Sequence, residues 1–396
     1  MKILITHNFY QVAGGEDAVM QNEIDLLESN GKTVIKHTVD NAQIYSLFDK
    51  IATMLNVPFS YAQYSKMLMV LNTEKPDVVH VHNYFPLFSP SIFYACKKAK
   101  VPVVHTLHNY RAVCPTALLM HEGKINEQCI KGHSWWSVSK RVYRQSLIGS
   151  FALASMVEMH KFLGTWQNKV DRYISLTDFS RNKYIEAGWP ANKVVVKPNF
   201  IDDPFEQKRQ IDKKGGYALY VGRLSEEKGI DVLFDAWVNC EYPIKVIGDG
   251  VTNRIVSDVV ELCGKKSKKE VLSLIQSSQF VVVPSICYEG FPMAIAEAFA
   301  CGTPVVCSRL GSMEEIVADG LTGLHFEAGN ADDLAEKIQW MIDHPLESSQ
   351  MGKNARQQYL EKYSPEKNYK MLMVIYQQAI SESDSRKNRQ QYEINK

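Results

Sequence analysis

At 396 residues, with 45% hydrophobic and 22% charged residues, the chain is too long for a single core and too apolar for disorder. Lys plus Arg number 45 against 44 for Asp plus Glu, and a formal charge of +1 excludes any general electrostatic pull toward nucleic acid or an anionic membrane. The eight cysteines hold no C-x-x-C pair, and a chain of this size needs no disulfides for its core, so they read as reduced thiols of a cytoplasmic protein.

The opening Met1-Lys2-Ile3-Leu4-Ile5-Thr6 is shorter than the ~7–15 apolar residues of a signal peptide, so no export signal is expected. No run reaches the ~18–20 apolar residues of a spanning helix, which leaves a soluble protein or one attached to a membrane surface. Short Val/Ile-rich runs then alternate with longer amphipathic stretches, the pattern of strand-helix-strand units around parallel sheets. The first half predicts strands at 2–6, 33–37, 77–82, 101–107, 172–176 and 193–197, with helices at 16–30, 89–98, 137–163 and 178–187. The polar stretch 198–216 breaks this rhythm and reads as a linker. The second half predicts strands at 217–221, 244–248, 280–284 and 304–307, and helices at 230–240, 254–263, 269–276, 292–300, 332–343 and 348–363. Ser364-Pro365-Glu366 opens a last helix, expected to end near Ser381.

In an open parallel sheet, ligands sit beyond the carboxyl ends of the strands, and three loops with chemistry follow strand ends. The first, Val12-Ala13-Gly14-Gly15-Glu16-Asp17, opens a helix. Its glycines allow close backbone approach, and a helix start favours an anion; a turn that needs glycine for itself reads as well. It is not G-x-G-x-x-G, which weakens a dinucleotide reading. The second, Gly222-Arg223-Leu224-Ser225-Glu226-Glu227-Lys228-Gly229, sets two cations five residues apart in a loop entering a helix. That arrangement suits one diphosphate, although such cations are often merely solvated, and the spacing is not that of a P-loop. The third runs from Pro284-Ser285 through Glu289-Gly290-Phe291-Pro292 to Glu297. Pro292 can start a helix, so Glu297, eight residues after Glu289, lies two turns into it and both carboxylates can face one crevice. Glu297 sits among Ala296, Ala298 and Phe299, where a charge is costly unless a ligand or a lysine meets it. Carboxylates accept bonds from vicinal hydroxyls, so sugar or ribose is a sensible ligand.

Together with Gly248-Asp249-Gly250, Gly302-Thr303-Pro304-Val305-Val306 and Asp319-Gly320-Leu321-Thr322-Gly323, these residues resemble the group-one retaining glycosyltransferases, the glycogen-synthase-like set. The resemblance implies an α/β chain of the GT-B fold, two facing Rossmann-like domains with the active site in the interdomain cleft. The expected bounds are 1–198, an acceptor-side domain completed by a helix at 365–382, and 199–364, the nucleotide-sugar domain, with a mobile polar tail at 383–396. By resemblance, Arg223 and Lys228 hold the donor diphosphate, and Glu289 bonds the sugar hydroxyls beside Gly290, Phe291 and Pro292. Glu297 takes the ribose hydroxyls, Gly222, Gly248 and Asp249 border the donor, and Gly15 lies near its phosphates. His108, at the end of Val103-Val104-His105-Thr106-Leu107-His108, matches the family's active-site histidine, and His82 lines the acceptor side, whereas His80 and His105 read as core residues. The implied catalytic set is His108, Arg223, Lys228 and Glu289.

The implied reaction moves a hexose-type sugar from a nucleoside diphosphate, uridine slightly ahead of guanosine, to a glycan or lipid-linked glycan in cell-surface polysaccharide or glycolipid assembly. Front-face attack would retain configuration without a protein nucleophile. No cofactor, metal or nucleic acid is expected, because the chain has no D-x-D and the two cations would do a metal's electrostatic work. A sugar-nucleotide epimerase and a non-catalytic sugar-nucleotide-binding regulator are the alternatives. Cys114 and Cys129, near His121 and His133, fit no standard zinc spacing. Trp135-Trp136, then Lys140, Arg141 and Arg144, then Leu147, Ile148, Phe151 and Leu153, have the composition of an interfacial helix at the inner face of a membrane; a helix packed by its apolar stripe on the sheet is the alternative.

Overall fold

The structure, a computed structural model, describes residues 1–11, 14–205, 215–250 and 257–394, the last eight of them by backbone alone. The chain forms two compact units: Met1–Leu119 with Asn126–Lys197 and Tyr369–Lys396, and Met120–Ile125 with Pro198–Asn368.

The first unit begins with β1 (Lys2–Phe9), α1 (Gly15–Ser29), β2 (Thr33–Asp40), α2 (Leu47–Asn56), α3 (Tyr61–Glu74), β3 (Val78–Val81), α4 (Ser91–Ala99) and β4 (Val103–Leu107). The hairpin of β5 (Met120–His121) and β6 (Lys124–Ile125) groups with the second unit. The first resumes with α5 (Gln128–Lys131), α6 (Trp136–Ser139), α7 (Leu147–Phe162), α8 (Thr165–Asn168), β7 (Arg172–Ser175), α9 (Asp178–Glu186) and β8 (Val194–Val196). Its strands pair in parallel in the order β2-β1-β3-β4-β7-β8. Val78, Val79, Val103 and Val104 are fully or almost fully buried, as expected where helices cover both faces of a parallel sheet. The chain reverses direction across the sheet after β2, so the switch point lies between β1 and β3, the position where such sheets bind ligands.

The second unit runs β9 (Ala218–Val221), α10 (Ile230–Ala236), β10 (Ile244–Ile247), β11 (Val260–Gly264), α11 (Lys268–Ser277), β12 (Phe280–Val283), α12 (Met293–Ala300), β13 (Val305–Ser308), α13 (Ser312–Ile316), β14 (Gly323–Phe326), α14 (Ala331–Asp343) and α15 (Pro345–Lys362). The order β11-β10-β9-β12-β13-β14, again all parallel, puts its switch point between β9 and β12. A last helix, α16 (Pro365–Ile394), contributes Tyr369 onward to the first unit.

Several elements differ from expectation. The stretch expected as a helix at 254–263 holds strand β11 from Val260, an edge strand whose β-branched and aliphatic residues pair with β10; residues 254–256 lie outside the described ones. The expected helix at 137–163 is two helices, because Arg141, Arg144 and Gln145 adopt left-handed φ of 48, 51 and 57° and Ser146 caps a new start. The helix expected at 230–240 stops at Ala236. Helices α2 and α3, strand β14 and the short α13 were not anticipated. The final helix does not stop near Ser381: Glu382 pairs with Arg172 and Arg386 with Asp171, which fastens it to the sheet. Of the expected linker, 206–214 lies outside the described residues.

Candidate active site

Glycines build the switch point of the second unit. Gly229, at φ +69°, ends the turn Glu226–Lys228, and a Cβ there would lie 1.8 Å from the Pro284 carbonyl oxygen. The Lys228 loop therefore lies against the end of β12 only with glycine at this position. Gly248 repeats the device: a Cβ would sit 1.7 Å from the Gly222 carbonyl oxygen, and the Leu224 N–H donates to the Asp249 carbonyl at 2.8 Å.

Lys228 Nζ donates to Glu289 Oε1 at 2.6 Å, and the Ser285 hydroxyl donates to the same oxygen at 2.6 Å. Oε2 accepts no protein hydrogen bond among the described residues. Burial pushes the Glu289 carboxyl up, but Lys228, then Ser285 and Arg223, outweigh it and hold it below the ordinary carboxylate range. Lys228 is likewise depressed by burial and raised further by Glu289, so both groups are charged at neutral pH. The Ser312 hydroxyl fixes the loop, donating to the carbonyls of Glu289 and Gly290 at 2.5 and 3.3 Å. Phe291 is buried edge-on against Tyr363, ring centroids 5.6 Å apart, and Pro292 caps α12. Arg223 is 64% exposed and pairs with Glu227 at 3.0 Å, which leaves its other guanidinium donors toward solvent. The structure thus gathers Arg223, Lys228, Glu289 and the Gly222, Gly248 and Gly290 backbone. Glu297 stands apart from the pair: burial pushes its carboxyl up to about 7, and its charged neighbour is Lys268. Asp249 faces Lys265 at 3.4 Å.

The first unit assembles a different chemistry. Glu23, on the apolar face of α1 with Val19, Met20, Ile24 and Leu27, is 1% exposed and accepts from the fully buried Lys197 ammonium at 2.6 Å. Burial raises Glu23, but Lys197 and then His82 and His80 hold it well below the carboxylate range. Its Oε2 lies 3.3 Å from His82 Nε2, and His82 Nδ1 lies 3.1 Å from His108 Nε2. Burial drives both imidazoles below their ordinary pKa, so they are neutral. A carboxylate beside Nε2 of His82 favours a proton there; Nδ1 of His82 then accepts from the His108 Nε2–H, and His108 Nδ1 is left as a bare acceptor. His108 shares a small pocket with Asn83, Phe85, Asn109 and Arg111. His7, fully buried at the end of β1, meets Asp17 at 2.7 Å. His80 bonds Tyr376 and Thr106, both at 2.7 Å, and His105 donates to the Val81 carbonyl, so both are core residues. At the start of α1 the Gly14 N–H is taken by Asp17 Oδ2 at 2.8 Å, and Glu16 is pushed up to about 7 by burial and the Asp17 charge. Gly15 is the first helical residue; Val12 and Ala13 lie outside the described residues.

The first unit matches the family model for Glycosyltransferase Family 4 over residues 34–204, and the second that for glycosyl transferases group 1 over 202–358. The chain belongs to the group 1 glycosyltransferases. An uncharacterized glycosyltransferase of Methanocaldococcus jannaschii is 27% identical over 402 residues, covering 96% of this chain and 98% of its own. Among solved structures, sucrose-phosphate synthase from Thermosynechococcus elongatus superposes with a TM-score of 0.68 at 18% identity, covering 96% of this chain and 99% of its own. Anabaena HepE in complex with UDP-glucose superposes at 0.63 and 17% identity, covering 97% and 99%. The fold of this glycosyltransferase is GT-B, two Rossmann-like domains.

Sequence reasoning missed the residues that support this glycosyltransferase's histidine cluster. Glu23 and Lys197 carried a signal, a carboxylate in a helix's apolar stripe and a lysine ending the run Val194-Val195-Val196, but nothing in the order of residues joins them. Glu23, His80 and His82 hold ligand atoms close enough for a metal. The buried Lys197 ammonium already supplies the cation there, and both nitrogens of His80 are engaged, so we assign no metal to this group. Cys114 and Cys129 face each other with sulfurs 2.9 Å apart, sharing a hydrogen that lowers the Cys114 thiol.

Proposed function

We propose that this glycosyltransferase transfers a sugar from a nucleoside diphosphate donor to a glycan hydroxyl, with retention of anomeric configuration and without a metal, in cell-surface polysaccharide or glycolipid assembly on the cytoplasmic side. The observation that carries this reading is the charged Lys228–Glu289 pair with Arg223 at the β9/β12 switch point. Arg223 and Lys228 offset the charge that grows on the leaving diphosphate, the work a metal does elsewhere. Glu289 Oε2, open and ionised, accepts from donor-sugar hydroxyls. Glu297 takes the ribose. On the acceptor side, bare Nδ1 of His108 accepts a hydroxyl hydrogen bond, with His82 and Glu23 fixing its tautomer. In front-face attack the leaving phosphate removes the acceptor proton, so no protein nucleophile is used. The Anabaena HepE complex with UDP-glucose favours a nucleoside diphosphate sugar as donor.

Thermal unfolding with UDP-, GDP-, ADP- and TDP-sugars tests the donor site without an acceptor. A ligand that binds only the folded state adds ~2.7 kcal/mol at a hundredfold excess over its Kd. Stabilisation by one nucleotide class, cut to about half or less at the same donor concentration in Arg223→Ala and Glu297→Ala, is expected, and the panel also reads the expected uridine preference. No stabilisation by any of them, or donor isomerised without an acceptor, overturns the reading.

A further inference from the structure

No described helix is long and apolar enough to cross a membrane, yet the first unit leaves unusually large side chains in water. On α2, Leu47, Phe48, Ile51 and Leu55 fall at helical spacing on one face, with Tyr45 just before it. Leu47 and Phe48 are 74% and 77% exposed. Helix α2 packs against α7, whose own first turns expose Leu147, Ile148 and Phe151. The exposed Trp135 stands 5.8 Å from the Phe151 ring, centroid to centroid. Single exposed apolar residues need no explanation, but two neighbouring helices that each present an apolar face do.

Charge says what covers them. From Gln128 to Val157 the chain contains Lys131, Lys140, Arg141 and Arg144 and no Asp or Glu, in a protein whose formal charge is +1. All four cations are exposed. Arg141, Arg144 and Gln145 are held at φ of 48, 51 and 57°, a left-handed backbone that costs non-glycine residues free energy and lies in the loop that enters the α7 face. None of the four forms an ion pair among the described residues, and the acids on these two helices, Asp49 of α2 and Glu158 of α7, accept from the Ser46 and Ser134 N–H groups, so the face keeps a surplus of cations that a partner's apolar surface would not call for. An anionic lipid surface would, since aromatic and aliphatic side chains enter the headgroup boundary while lysine and arginine meet phosphate.

We propose that the α2 and α7 faces, with the Lys140–Gln145 loop, form a docking surface for an anionic lipid bilayer. This goes beyond the donor chemistry and does not depend on it, because binding is read without nucleotide or turnover.

The test is flotation of the full chain with vesicles of phosphatidylcholine alone and of phosphatidylcholine mixed with phosphatidylglycerol. We expect binding to the mixed vesicles that weakens as salt rises, and little to the neutral ones. Phe48→Glu with Ile148→Glu should lower the affinity at least tenfold, and Arg141→Ala and Arg144→Ala about fivefold each. All four positions are exposed, so circular dichroism and the thermal midpoint should stay as in the unsubstituted chain. No binding to the mixed vesicles at low salt overturns the proposal, as does binding that Phe48→Glu with Ile148→Glu leaves unchanged. A dimer in light scattering that the same double substitution splits also overturns it, by showing that a second copy covers the patch.

Discussion

The two units gather their polar residues around the switch points of similar sheets, yet in opposite states. Around β1 and β3, Glu23, Lys197, His7, His80 and His82 are sealed from water and hold one another. Around β9 and β12, Arg223 is mostly exposed, and the Lys228–Glu289 pair keeps part of its surface. A sealed network positions a neutral imidazole and tolerates little change, because an unpaired charge inside has no water to turn to. An open one holds charge in reserve for a charged ligand.

The largest expected effect tests the sealed side. Lys197→Met leaves the Glu23 carboxylate buried and alone, which should cost about 3–5 kcal/mol in urea unfolding. Adding Glu23→Gln should recover at least half. A loss under about 1 kcal/mol for Lys197→Met would mean that the first cluster is no more locked than the second. On the open side, Lys228→Ala should lower kcat ~10²–10³-fold by removing charge aimed at the leaving group, measured with saturating donor. A smaller loss there would shift the leaving-group role onto Arg223 alone.

Acid should separate the units further. His80, His82, His105, His108 and His160 are all lowered from the ordinary ~6.5 by burial, so below that pH the unfolded chain takes up protons that the folded chain refuses. Stability is thus fully present above about pH 6.5 and falls as pH drops, each histidine adding up to ~1.4 kcal/mol per pH unit. Glu23, held low in the fold, adds to the loss at still lower pH, while Glu16 and Glu297, raised to about 7, offset part of it. Unfolding midpoints between pH 7 and 5 check the sign. Over the same range, donor affinity should weaken as Glu297 takes a proton, and Glu297→Gln should flatten that profile. The smallest expected change is the stability of Arg223→Ala, within about 0.5 kcal/mol of the parent because the side chain is exposed, while its donor affinity drops about tenfold.

Most of the fold was legible because its strands are short β-branched runs such as Phe280-Val281-Val282-Val283, which bury themselves in any parallel sheet. Element ends were less so. The break near Arg141 depends on left-handed residues that are not glycine, and the reach of α16 to Ile394 depends on Arg172 and Asp171, about two hundred positions away in the chain. The donor-side residues could be read because they lie in continuous motifs, where glycines such as Gly229 and Gly248 mark close backbone approaches. The scaffold of His108 could not, since Glu23, His82, His108 and Lys197 come from four separate segments.

By itself, the sequence determined the two parallel-sheet units, the glycines at the donor-side strand ends, and the types of residue set there, because those follow from local periodicity and local spacing. Only the tertiary structure decided which groups lose their water. It put Lys197 on Glu23, left Glu289 one open oxygen, and kept Phe48 and Ile148 in solvent. Burial and pairing are sums over neighbours from distant segments, and it is those sums that fix charge state, proton placement and the faces left for a partner.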